Sequence, residues 1–166
     1  MSDHIHIEKG AAPWKPSEAA SLTEVFHEFT IPLVGAIEQD SVSYLFWCVV
    51  GHAGPENAWA YAHVSSIELD TLRDAPGEAF DQVLRNLASA RVCSFAIASD
   101  DKGIVEWVDL EPPADFDTAH ERGMSALSQK VTEAMEEMQH LLEQFPSIQA
   151  ATGFSISPSP RMVSVD

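Results

Sequence analysis

Seven histidines, two cysteines and 26 acids are the groups in this chain able to hold a metal or move a proton. His4 and His6 stand one residue apart, a chelating spacing, but they lie in a segment that reads as a loose lead-in. His52 sits in the Gly51–Asn57 stretch beside the strand that carries His63. With Glu56, these two make an acid–base or metal group if the loop folds back onto the strand. Asp117 precedes His120 by three residues, a metal-binding spacing on a helix. Helix N-termini favour acids in any case, and capping accounts for Asp117 equally well. Asp100-Asp101-Lys102 has the acid-x-Lys order found at the end of some metal-dependent nuclease sites, and a tight hairpin with Gly103 explains the same letters. Cys48 and Cys93 both sit inside apolar runs and read as small buried hydrophobes. There is no C-x-x-C, G-x-S-x-G, H-E-x-x-H, phosphate-binding glycine loop or dinucleotide glycine motif. The census therefore points away from an enzyme, and neither a metal nor a cofactor is expected.

The elements that would position these groups follow from periodicity. Residues 1–16 read as a flexible lead-in, residues 17–146 as one domain and residues 147–166, with Ser157-Pro-Ser-Pro160, as a flexible tail. Ser21-Leu-Thr-Glu24 matches a capping box and predicts a short helix over 22–27. Ile31 to Glu38 reads as a strand, with Pro32 favouring an edge or a strand start. Val42 to Val50 is apolar on both pleat faces and predicts a central strand covered on both sides. From Ala58 to Val64 the strand alternates: Ala58, Ala60, Ala62 and Val64 on one face, Trp59, Tyr61 and His63 on the other. The small face admits a helix or a sheet closely, and the aromatic face needs either a partner element or a ligand.

A second capping box, Ser65 to Glu68, opens a helix to about Arg73. Phe80, Val83, Leu84, Leu87 and Ala88 form one helical stripe. Val92 to Ala98 and Ile104 to Leu110 flank a hairpin at 99–103, where Gly103 is free to take positive φ. Pro112-Pro113 breaks the last strand, and Asp115 or Asp117 caps a long helix over about 117–144. Met124, Leu127, Val131, Ala134, Met138, Leu141 and Phe145 give that helix a 3-4 spaced stripe, widened by Met135 and Leu142. The wide stripe favours packing on the chain's own sheet over a dimer seam. The predicted fold is α+β: a mostly antiparallel sheet of about five strands in the order β-β-β-α-α-β-β-α, packed by helices, with a long C-terminal helix.

Charge is the strongest signal. The formal net charge is −17, with 26 Asp and Glu against 9 Lys and Arg. Such a surface excludes ordinary nucleic-acid binding and docking to an anionic membrane. The longest apolar run, Tyr44 to Val50, falls far short of the ~20 residues that span a bilayer. With no basic, apolar leader in view, a cytoplasmic protein is the expectation. Nine acids and two bases lie between Asp109 and Glu143. Asp117, Glu121, Glu133, Glu136, Glu137 and Glu143 are the expected contacts for a basic protein partner.

One stretch, residues 22–109, resembles an uncharacterised family of small bacterial α+β domains. The likeness rests on L-x-E-V-F-x-E-F-x-x-P-L from Leu22 to Leu33, on Tyr44-Leu45, and on W-x-Y-x-H-V-S from Trp59 to Ser65. It implies short helices followed by a further strand, and carries no activity with it.

Three readings of function follow. The first is a non-enzymatic interaction protein, similar in charge and size to immunity proteins, antitoxins, nucleic-acid mimics and accessory subunits. The second is a small-ligand-binding or enzymatic domain built on His52, Glu56, Trp59, Tyr61 and His63. The third is a homodimer or larger homo-oligomer, because one modest set of helices leaves an apolar sheet face uncovered.

Overall fold

A computed structural model describes residues 4–53 and 55–144. Two compact units divide it, residues 1–128 and residues 129–166. The first unit is built on a six-stranded antiparallel sheet in which every strand neighbours the next in sequence. Its strands are β1 (Ala20–Phe29), β2 (Ile31–Gln39), β3 (Val42–Ala53), β4 (Glu56–His63), β5 (Val92–Ser99) and β6 (Gly103–Ala114). Two helices, α1 (Ser66–Arg73) and α2 (Phe80–Ala88), connect β4 to β5, and α3 (Phe116–Gln144) follows β6. The α+β class stands, with six strands where the sequence predicts about five.

The extra strand replaces the helix expected over 22–27. Ser21 and Glu24 have capping-box spacing, but Thr23, Val25, Phe26 and Phe29 favour a pleated surface. The segment pairs with β2 from Ala20↔Gln39 to Phe29↔Ile31, and Thr23 Oγ1 donates to the Ala36 carbonyl at 3.1 Å. The loop expected at 51–57 is also shorter, because β3 runs to Ala53 and β4 begins at Glu56. Elsewhere local chemistry acts as expected. Ser65 and Glu68 form the complete capping box of α1. Asp115 accepts from the Thr118 amide at 2.8 Å and caps α3. Asp40 and Ser41 both take positive φ in the β2–β3 turn, and Gly103 has φ +71, the torsions tight hairpins require.

The central strands of the sheet are buried on both faces, whereas the edge strands β1 and β6 are largely exposed. On one face, Ala58, Ala60, Ala62 and Leu45 pack against Leu69, Leu72, Leu84, Ala88, Ala119 and Leu127 of the helices. The alanines matter because they let a helix backbone approach. A Cβ added at Gly123 would lie 3.3 Å from the Ala58 Cβ and 3.1 Å from Val49 Cγ1. Trp47 stacks on Phe116 at 5.4 Å, and Arg85 caps the same ring at 4.4 Å.

The opposite face is covered by the N-terminal segment, against the expectation of a flexible lead-in over 1–16. Ile5 and Ile7 are buried beside Phe46, Trp59, Tyr61 and Cys93. The segment is also hydrogen-bonded into place. Gly10 donates to the Ile104 carbonyl at 2.7 Å and receives company from Ile104, whose amide donates to Ala11 at 2.8 Å. Tyr61 Oη donates to the Pro13 carbonyl at 2.7 Å. At its start, His4 Nε2 meets Glu111 at 2.8 Å and Nδ1 lies 3.3 Å from the Cys93 carbonyl. The sequence leaves this face for a second copy to cover, and the chain's own first turns cover it. The tail expected over 147–166, and the helix stop at Phe145-Pro146, lie outside the described residues.

Two outcomes follow. Ile7→Ala removes a side chain 3% exposed and is expected to lower unfolding stability by about 2–4 kcal/mol in denaturant titration. His4 gives a pH signature. Its hydrogen bond to Glu111 holds its pKa above the ordinary 6.5, against the opposing pull of burial, with Asp109 and the Cys93 carbonyl adding to the rise. A folded pKa raised above the unfolded one contributes stability that is complete below the unfolded value and is lost as pH rises through the folded value. The thermal midpoint of the wild type minus that of His4→Ala should therefore be largest below pH 6.5 and shrink above it. A difference that is flat with pH would remove His4 as a clasp.

Candidate functional site

Of the five residues proposed for a ligand site, the four whose side chains are described do not converge. Trp59 and Tyr61 are wholly buried, facing the N-terminal segment on the same side of β4. His63 continues that face but is exposed, its ring edge-on to Tyr44 at 6.0 Å. Glu56 alternates onto the other face of the pleat. His52 is placed on β3, in a stretch whose side chains are outside the description. The aromatic face predicted to need a partner has one, made by Ile5, Ile7 and Trp14.

A cleft does open beside Trp59, at the end of the sheet. It encloses about 470 Å³ where residues 10–14, the β1–β2 turn, the start of β4 and the β5–β6 turn meet. Trp14 and Trp59 line it, their rings meeting edge to face at 6.2 Å. Pro13 and Ile31 extend the apolar wall, and Asn57 and Asp100 supply the polar one. Trp59 Nε1 donates to Asn57 Oδ1 at 2.5 Å. Asn57 Nδ2 in turn donates to Asp100 Oδ1 at 3.2 Å. The Asp100 amide donates to the Pro55 carbonyl at 3.1 Å, so the backbone fixes the residue as well. Sequence spacing does not single out Trp14 or Asn57, and it singles out Asp100 for the acid-x-Lys order of 100–102 and not for this cleft. A further signal is Trp14 itself, a large aromatic set between Pro13 and Pro16 in a segment otherwise read as loose.

The acidic candidates lie on α3. Asp117 is already engaged, accepting from Arg85 at 2.9 Å. Glu121, Glu133, Glu136, Glu137 and Glu143 are exposed, and Glu133 accepts from Gln129 at 3.0 Å. The buried part of the α3 stripe consists of Ala119, Gly123 and Leu127. Beyond it, Val131 is 40% exposed, Met135 54%, Met138 50% and Leu141 50%. Of the expected stripe, among the described residues Leu127 is the one fully buried member, Met124 being 46% exposed, and the buried face is completed by Ala119 and Gly123 instead. Among the described residues, no group of three or more His, Cys, Asp or Glu is placed to hold a metal ion. Within the same residues, no helix is long and apolar enough to cross a membrane. No family model, no curated protein and no solved structure matches the chain.

Neither thiol is set up as a nucleophile. Burial pushes Cys48 and Cys93 each up to about 11, which leaves roughly one part in 10⁴ as thiolate at pH 7. Both should resist an aromatic disulfide reagent in the folded protein and react promptly in denaturant. Fast labelling of either in the folded state would contradict this environment.

Proposed function

We propose that this chain is a non-enzymatic interaction protein that binds a basic protein through α3. The observation that carries this reading is the stretch 129–144. Every residue there except Lys130 and Leu142 is exposed, including four large apolar side chains. At helical periodicity Val131, Met135, Met138 and Leu142 share one face, with Leu141 at its edge. Glu133, Glu136, Glu137 and Glu143 occupy the remaining arc. Scattered exposed apolar residues need no explanation, but a continuous stripe on one helix face is a contact surface. In this reading the stripe supplies the buried area and slow dissociation. The acids supply the sign: they speed encounter with a positive surface and reject negative ones. The net charge of −17 extends the same bias over the molecule.

The same stripe supports a second reading, self-association, as the sequence also suggests. The acids oppose it, because two copies bring like charges together. Light scattering at micromolar concentration separates the two, since a second copy on the stripe doubles the mass.

The direct test captures a partner at low salt, elutes it with a salt gradient, and then titrates the purified pair. Replacing Glu133, Glu136 and Glu137 by Gln should slow association about tenfold at low salt and flatten its salt dependence. Met138→Ser should act on dissociation instead. An affinity that ignores both salt and the three glutamates would sink the proposal.

A further inference from the structure

We infer that the cleft between Trp14, Trp59 and Asp100 is a binding site for an organic cation that carries an apolar group. The shared chemistry is an ammonium or guanidinium beside a hydrocarbon, from either a free amine or a Lys or Arg side chain. This site lies in the first unit, is lined by no residue of α3, and does not rest on the reading given above.

Size is the first support. A volume of about 470 Å³ sits within the range of roughly 300–1,000 Å³ in which small-molecule sites fall. Chemistry is the second. The wall made by Trp14, Pro13 and Ile31 over the buried Trp59 suits hydrocarbon, and the half-buried Trp14 supplies an indole, the ring that attracts cations most strongly. Among the described residues, Asp100 is the one ionisable group in the lining, so nothing basic competes for its carboxylate. Preorganisation is the third. Asn57 is 9% exposed and spans Trp59 and Asp100, accepting from the first and donating to the second. That chain locks the buried indole and orients the carboxylate from one bond to its Oδ1. Among the described residues the other carboxylate oxygen takes no hydrogen bond, and it remains to receive a charged donor. An anion meets no positive partner here, and a neutral ligand leaves the aspartate unused.

The test follows the indole N–H signals of Trp14 and Trp59 by NMR in the full-length chain, assigned with Trp14→Phe and Trp59→Phe. Three probes are titrated: phenethylammonium, its neutral counterpart 2-phenylethanol, and a short peptide carrying Lys and Arg. Saturable shifts of both signals by phenethylammonium, with little response to the alcohol, are expected. Asp100→Asn keeps the acceptor for Asn57 and removes the charge, and should weaken the cation about fivefold. Trp14→Ala should weaken it about tenfold. Saturation by the small amine assigns the site to free amines, and saturation by the peptide alone assigns it to a protein side chain. Equal response to amine and alcohol, affinity unmoved by Asp100→Asn, or no saturable shift with either cation overturns the inference.

Discussion

Trp59 and Tyr61 are wholly buried, and each carries one polar hydrogen that must find an acceptor out of water. A buried donor left unpaired costs on the order of 1–3 kcal/mol, enough to matter in a domain of this size. Tyr61 solves the problem with the Pro13 carbonyl, and Trp59 with the Asn57 side chain. Both solutions constrain other parts of the molecule. The first fixes the N-terminal segment across the sheet, where Ile5 and Ile7 then exclude water. The second fixes Asn57, and through it Asp100, at the mouth of the cleft. The cover of one sheet face and the shape of the cleft are thus two consequences of burying the same strand.

The alternation of β4 works because its two sides face different neighbours. Alanine at 58, 60 and 62 keeps the helix side thin, and α3 answers with Gly123 against Ala58 and Val49. Indole and phenol fill the other side, where a covering segment without a regular helix leaves more irregular space. Local signals made this strand legible in the sequence, together with the capping box of α1, the hairpin at Gly103 and the cap of α3. Each depends on residues within a few positions of one another. The N-terminal cover was not legible, because its evidence is a set of long-range contacts. Two isoleucines at alternate positions and a tryptophan between prolines do not specify which surface they meet.

The misread helix at 22–27 shows the limit from the other direction. A capping box satisfies two backbone groups at a helix start, but β1 gains a ladder with β2 over its whole length, interrupted by three register shifts, together with a Thr23 bond across it. The tertiary alternative satisfies more groups than the local one, so the local motif is overridden. The same balance explains the candidate site. Histidines and acids were read by spacing along the chain, whereas the cleft joins residues from positions 10–14, 30–31, 57–59 and 98–103. No spacing rule connects those segments before the sheet order is known.

Charge placement completes the picture. Cations are scarce in this chain, and Arg73, Arg85 and Arg91 are engaged within the first unit. Arg73 joins Glu24 of β1 at 2.7 Å and also meets Asp70. Arg91 pairs with Glu68, and Arg85 holds Asp117 while lying over Phe116. Exposed pairs of this kind add little stability singly, but here they neutralise acids where strands and helices meet. From Val131 to Gln144 the sequence contains acids and no lysine or arginine. The acidic excess runs through both units: residues 1–128 carry 21 acids and 7 bases, a few of them paired where elements pack, and residues 129–144 carry four acids and one lysine. A helix designed only for solubility would have no need of an exposed methionine and leucine stripe beside those acids. The coexistence of the two is the observation on which the proposed contact surface rests.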